Sequence, residues 1–219
     1  MKLFPFINYV INFIYPNVCG ICNKICKSDL CKKCEIKMNS IAKIKIDYYS
    51  NKNFKKHLYI FKYEGIIKEK LIDYKFNEKT FIYKSFIKFI INNKKICRFL
   101  KSYDIIIPVP IHKKRNKNRG YNQSAVFARE IANNISKLKY VGDVLIKKTN
   151  NKPQSKKNRV EREKNVINAY VLQNEQKIKD KRILLLDDIY TTGYTVNECC
   201  KVLKQGNPKY IDVITIARD

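Results

Sequence analysis

The chain has 219 residues, with 46 Lys and Arg against 19 Asp and Glu and a formal net charge of +27. That length suits one ordinary domain with a small appendage, and the lack of any run of 18 apolar residues predicts no transmembrane helix. The basic excess points toward nucleic acid or another acidic partner, but Lys, Asn, Ile and Tyr are all abundant, the pattern of AT-biased codon use, which supplies solvated lysine without a partner.

Arginine is the sharper clue, because its planar fork grips phosphate bidentately. Five of the eight arginines, Arg115, Arg119, Arg129, Arg159 and Arg162, fall between 115 and 162.

From the N-terminus, "MKLFPFINYVINFIYPNVC" has one early lysine and an apolar stretch interrupted by Asn8 and Asn12, with no small-residue cleavage site after it. It reads as an amphipathic packing segment rather than a signal peptide. The expected location is the cytoplasm, where thiols stay reduced. Five of the eight cysteines lie in "CGICNKICKSDLCKKC", where Cys19, Cys22, Cys31 and Cys34 form two C-x2-C knuckles. Four thiolates in this pattern suit a closed, tetrahedral, structural Zn2+, which serves folding or docking rather than catalysis. Cys26 is a spare, and Cys97, Cys199 and Cys200 sit in apolar patterns that read as core. Residues 1–45 are expected to form this zinc-ribbon-like module and 46–219 the main domain.

In the main domain "HLYIFKY" (57–63) reads as a strand, while "GIIKEKLIDYKF" and "KTFIYKSFIKFIINN" carry apolar residues at helical spacing. From Asp104 strands and helices alternate. "DIIIPVP", "YVGDVLIKK", "NAYVL", "RILLLD" and "YIDVITIA" read as strands; "NQSAVFAREIANNISKL" and "TVNECCKVLKQ" read as helices. Near-continuous apolar strands alternating with helices predict an α/β fold with a mainly parallel sheet covered on both faces. The polar segment "TNNKPQSKKNRVEREKN" (149–165) is long for a loop inside a compact domain, which marks it as functional or disordered.

The chemistry concentrates in "ILLLDDIYTTGYT" (183–195). A buried parallel strand ends at the sheet edge where open α/β sheets bind ligands, so Asp187 and Asp188 stand at a site mouth. Behind them Thr191, Thr192, Gly193, Tyr194 and Thr195 lead into a helix whose N–H groups and positive end suit an anion. Glycine permits close backbone approach, and the acids can accept bonds from vicinal hydroxyls, directly or through Mg2+. A sugar phosphate fits both halves.

This stretch resembles the phosphoribosyl-diphosphate signature of type I phosphoribosyltransferases. "IIIPVPIHKKRNKNRGYNQSAVFAREIA" and "TNNKPQSKKNRVEREKNVINAY" are similar, in order and spacing, to segments of the ComF branch of that superfamily, the competence-associated proteins. The resemblance extends to the N-terminal cysteines. It implies that the Thr191–Thr195 loop holds the 5-phosphate, that Asp187 and Asp188 meet the ribose, and that Pro108, Val109 and Pro110 lie where the diphosphate loop would be. It also implies a mobile hood at about 148–165. His112, Arg119, Asn122 and Gln123, with Gln154, Arg162 and Asn165 from the hood, become candidate diphosphate or base contacts. Tyr194 departs from the small residue usual between Gly and Thr.

Two functions follow from the resemblance. One is a factor that handles single-stranded DNA during natural transformation, with a phosphoribosyl diphosphate-type site and DNA-uptake or recombination proteins as partners. The other is an active transferase that displaces diphosphate from ribose C1 onto an acceptor.

Overall fold

A computed structural model describes residues 16–77, 79–149 and 168–219, with the backbone alone at 118 and 119. The apolar N-terminal segment and most of the expected hood, including Arg159, Gln154, Arg162 and Asn165, lie outside the described residues. In chain order the described elements are α1 (Lys32–Ile41), β1 (Lys45–Tyr48), β2 (Lys56–Lys62), α2 (Gly65–Phe76), α3 (Ile82–Asn92), α4 (Lys94–Leu100) and β3 (Ile105–Pro108). They continue with α5 (Lys113–Arg119), α6 (Gln123–Asn134), β4 (Lys139–Tyr140), β5 (Leu145–Lys147), β6 (Tyr170–Leu172), β7 (Arg182–Tyr190), α7 (Tyr194–Leu203) and β8 (Tyr210–Arg218).

Six strands form one sheet in the order β1-β2-β8-β7-β3-β4, antiparallel only between β1 and β2. Its centre is β7 and β8, which are apolar on both faces because both faces are covered. Leu184 and Leu186 point to one side, where Ile106, Ile214 and Ile216 join them under Leu71, Phe86, Ile90, Phe127 and Ile131 of α2, α3 and α6. Ile183 and Leu185 point to the other, against Val196, Cys199, Cys200 and Leu203 of α7. The sheet is thus mainly parallel and flanked by helices, as expected.

This layering creates the crevice. Strands β3 and β7 are parallel neighbours, yet the helix following β3 packs on one face and the helix following β7 on the other. Their loops diverge at the C-terminal edge, the topological switch point where such sheets take ligands.

Two expected strands behave differently. "YVGDVLIKK" divides: Lys139–Tyr140 stays parallel to β3, whereas Leu145–Lys147 leaves to pair antiparallel with Tyr170–Leu172 in a separate ribbon. The break falls at Gly142, over which the Tyr140 side chain lies: an added Cβ would be 2.2 Å from its hydroxyl, so a larger residue there would have to displace the Tyr140 ring. The second difference is that β7 runs past the acids to Tyr190. Strand β3 stops opposite Leu186, but β8 continues pairing as far as Arg218, so Asp187 and Asp188 sit inside a strand that is bonded on one side only.

The cysteine knuckles dock on α3. The Gly20 N–H donates to Ser85 Oγ at 2.8 Å, and Ser85 in turn donates to the Asp29 carbonyl. A side chain at Gly20 would meet the Ile82 backbone at 2.7 Å, and Cys19, Ile21, Leu30 and Met38 share one apolar core with this helix.

Candidate functional site

At the end of β7 the two carboxylates have different surroundings. Asp187, half-buried, accepts hydrogen bonds from Ser124 Oγ at 3.0 Å and from the Asp188 N–H at 2.9 Å. Asp188, buried, pairs with Lys75 Nζ at 2.6 Å. Burial, and then the Asp188 charge beside it, push the Asp187 carboxyl up to about 7, against the pull of Lys75 and of the two hydrogen bonds. Two acids this close at a buried edge favour a cation or a proton between them.

The loop behind them is short. Thr191, Thr192 and Gly193 separate β7 from α7, which begins at Tyr194, one residue earlier than the expected "TVNECCKVLKQ" helix. Gly193 is left-handed (φ 78°), and a Cβ there would lie 2.2 Å from the Tyr190 hydroxyl, so only glycine fits. Tyr194 and Thr195 are the first two helical residues, both half-buried. The loop therefore faces the first-turn N–H groups, the end of a helix that attracts anions.

Across the crevice, Pro108 closes β3 and the next turn is tied to β7: the Val109 N–H donates to the Leu186 carbonyl at 2.9 Å, and Pro110 follows. Asn122 caps α6 by accepting from the Ser124 N–H at 3.1 Å and donates to the Val109 carbonyl at 3.0 Å. Gln123 is buried at the start of the same helix. The structure thus brings together the acids, the Thr191–Thr195 segment, Pro108–Pro110, Asn122 and Gln123. His112 caps α5 instead: its Nδ1 accepts from the Lys114 N–H at 3.2 Å. Arg119 ends that helix.

Sequence reasoning missed Lys75, Ser124 and Lys147. Lysines 75 and 147 carry no signal in a chain this rich in lysine. Lys75 arrives from the last turn of α2, and Lys147 from β5, where its Nζ lies 5.3 Å from the Tyr170 ring. Burial pushes the Lys147 ammonium down and the Arg115 charge adds to this, while Cys199 and Asp187 oppose it. Ser124, within the quoted "RGYNQS", was readable as a donor one turn from the capping Asn122.

The four cysteines form a compact set. The sulfurs of Cys19, Cys22, Cys31 and Cys34 all lie within 4.8 Å of one another. Cys22 Sγ and Cys31 Sγ are 3.8 Å apart, which is the edge of a tetrahedron with bonds of about 2.3 Å, the usual Zn–S length. Burial raises the Cys19 thiol, but N–H groups of Cys31, Cys22 and Ile21 outweigh it and bring it down to about 6. Burial and the neighbouring thiols push Cys34 well up. Such crowding lets all four ionise only around a cation, so the cluster can bind a metal such as zinc. Cys26 is outside it, its thiol donating to the Ser28 carbonyl at 2.7 Å. Cys199 and Cys200 are core, and Cys97 is half-buried.

The chain is similar to several known proteins. The phosphoribosyl transferase domain family matches residues 122–219. The Competence protein ComFC of Streptococcus pneumoniae is 28% identical over 162 residues, covering 74% of this chain and 68% of the relative. Competence protein F of Haemophilus influenzae is 32% identical over 121 residues, 54% of this chain and 52% of the relative. The ComFC of Bacillus subtilis is 26% identical over 165 residues, 73% and 62% respectively. A solved structure of the allosteric regulatory enzyme of purine biosynthesis overlaps 52% of this chain and 22% of that one, at 18% identity and a TM-score of 0.36. Among the described residues no helix is long and apolar enough to cross a membrane. With competence proteins matching across much of the chain, a phosphoribosyl transferase domain over its C-terminal part and four clustered cysteines ahead of it, the findings support a ComF family protein.

Proposed function

We propose that the chain binds phosphoribosyl diphosphate, or a closely related phosphosugar, and acts in the cytoplasm on single-stranded DNA during natural transformation. The observation that carries the site is the junction of β7 and α7: an acid pair bonded on one side only, followed five residues later by the glycine that hinges a helix N-terminus, at the switch point of the sheet. Asp187 and Asp188 would receive the ribose hydroxyls and Mg2+, which supplies charge neutralisation for the diphosphate. Thr191, Thr192, Gly193, Tyr194 and Thr195 would hold the 5-phosphate, and the Pro108–Pro110 turn would face the diphosphate. The four thiolates would hold a structural Zn2+. The competence setting comes from the relatives' names, and the net charge of +27 is compatible with a DNA partner. DNA-uptake or recombination proteins are the expected protein partners.

Turnover is the second reading, favoured by the cations Lys75 and Lys147, both within electrostatic reach of Asp187. The C1–O bond would break with its electron pair leaving on diphosphate, as a bond forms from C1 to an acceptor, and cations near the departing group would stabilise the charge.

A thermal-shift titration tests the site. Phosphoribosyl diphosphate with Mg2+ is expected to stabilise the parent by about 2.7 kcal/mol at a hundredfold excess over its dissociation constant. Asp187→Asn and Asp188→Asn should lose most of that gain. A parent that gains nothing, with variants that behave like it, would remove the basis of this reading. Binding to single-stranded oligonucleotides should weaken steeply with added salt, since phosphate contacts release counterions.

A further inference from the structure

Behind the proposed phosphate loop lies a support that the loop's own residues do not supply. Tyr190, the last residue of β7, is buried, and its side chain fills the space beside Gly193: a Cβ on that glycine would lie 2.2 Å from the phenol oxygen and 2.9 Å from the ring edge. The backbone of Tyr190 is fixed as well, its carbonyl accepting from the Asp219 N–H at 2.9 Å.

The ring is itself held. It stacks on the His57 imidazole with centroids 4.3 Å apart and planes 27° apart, and His57, fully buried in β2, is anchored through Nε2 to Thr215 Oγ1 at 2.8 Å. The Arg218 guanidinium lies 5.6 Å from the Tyr190 ring and is ion-paired with Asp47 of β1. Burial, and then the neighbouring Tyr49 phenol, push the Tyr190 phenol up, so this support stays neutral at physiological pH.

Tyr49 belongs to the connection between β1 and β2, residues 49–55, which also reaches the other flank of the loop. The Tyr49 N–H closes this connection by donating to the Lys55 carbonyl at 2.9 Å, and the Tyr49 ring packs edge-on against the buried Phe54 at 5.3 Å. Asn53 donates to Asn197 of α7 twice, from its N–H to Oδ1 at 2.8 Å and from Nδ2 to the carbonyl at 3.4 Å. Asn197 in turn donates its N–H to the Gly193 carbonyl at 2.9 Å. One connection, distant in sequence, therefore grips Tyr190 ahead of the loop and the first turn of α7 after it.

That double grip bears on binding. Backbone N–H groups hold an anion well when they converge before it arrives, because a loop ordered only on binding spends part of the interaction on its own lost freedom. Thr191 is exposed and Thr192 half-buried, so these residues have little packing of their own to order them.

We infer that residues 49–55 and the His57–Tyr190 stack form a clamp that pre-sets the 191–195 loop, with Tyr190 and Asn197 as positioning residues. What the loop holds, the 5-phosphate, rests on the phosphoribosyl reading. That the loop is held in place does not.

The test compares the full chain with its Tyr190→Ala, Tyr190→Phe and Asn197→Ala variants. Each is titrated calorimetrically with ribose 5-phosphate, which needs the loop, and with magnesium diphosphate, which does not, and loop amide hydrogen exchange is followed without ligand. Ribose 5-phosphate affinity is expected to fall tenfold or more in Tyr190→Ala and threefold or more in Asn197→Ala, and to stay within threefold of the parent in Tyr190→Phe, which keeps the ring. Diphosphate affinity should remain at the parent level, and the amides of residues 192–195 should exchange at least tenfold faster in both alanine variants. Equal weakening of both probes would show general structural support and overturns the inference. Alanine variants that bind both probes and exchange their loop amides as the parent does also overturn it, and the sugar site then stands without a clamp. If Tyr190→Ala does not fold, Asn197→Ala decides by the same criteria, since its side chain is only half-buried. A parent that binds neither probe discards the phosphosugar reading instead, and the exchange rates alone then uphold or reject the clamp.

Discussion

Lys75 occupies the place where the proposed Mg2+ would act. Its ammonium lies 2.6 Å from Asp188 and also lowers the acidity threshold of Asp187, so the resting site is already neutralised in part by the protein itself. Replacing it, as Lys75→Ala, should have two opposite effects. Stability should fall by about 1–2 kcal/mol, between the values for exposed and buried ion pairs, because Asp188 loses its partner in a mostly buried position. Mg2+ alone should bind more tightly, since no resident cation competes. Denaturant unfolding and a metal titration in the absence of sugar read the two effects separately; an unchanged metal affinity would show that Lys75 does not compete. The acids and the glycine were legible in the sequence because they share one short stretch with a strand before it and a helix after it. Lys75 was not, because only the tertiary packing of α2 brings it there.

Among the elements, β2 and β8 enclose a buried titratable side chain. His57 is fully buried, with Nε2 2.8 Å from Thr215 Oγ1 and its ring stacked on Tyr190 at 4.3 Å. Burial pushes its pKa down to about 4 from an ordinary 6.5. Between these values the unfolded chain holds the extra proton, so stability is full above about pH 6.5 and is lost as the pH falls toward 4. The slope is expected to approach about 1.4 kcal/mol per pH unit within that window. Unfolding midpoints at pH 7, 6 and 5 check it, and His57→Phe should flatten the difference from the parent. Long elements such as α2, β7 and β8 were readable because each carries several apolar residues at the spacing of its element, despite polar residues such as Lys70, Asp73 and Asp212 on their buried faces. The ribbon of β5 and β6 was not. Its two strands are three residues each, and nothing in "YVGDVLIKK" distinguishes a strand that stays in the sheet from one that turns away at Gly142. Helix α5, "KKRNKNR", has no apolar face at all and is marked chiefly by its His112 cap and its left-handed Gly120 stop.

Over the whole molecule, the cysteine knuckles and the proposed phosphosugar site are joined by one continuous body. Gly20 is bonded to Ser85 of α3, Phe86 of α3 packs edge-on against Phe127 of α6 at 6.1 Å, and Ser124 of α6 donates to Asp187. The spacing of the four cysteines was legible in the sequence. Their attachment to α3 was not, because it depends on a glycine N–H and a serine hydroxyl with no motif around them. Stripping the metal with a chelator, or making Cys19→Ser and Cys34→Ser, should lower the unfolding temperature of the entire chain rather than release a separate early transition.

The hydrogen bond from Ser124 to Asp187 completes a contiguous route between the two ends, and any coupling along it has to be reciprocal. If a metal on the thiolates steadies α3 and α6, it raises the affinity for phosphoribosyl diphosphate, and the sugar must then raise the affinity for the metal by the same factor. Measuring both affinities with the other site loaded and empty closes that square. A ratio of one on both sides would mean that the molecule treats its metal as an anchor and nothing more, whereas equal ratios above one would make metal supply a control on when the sugar is held.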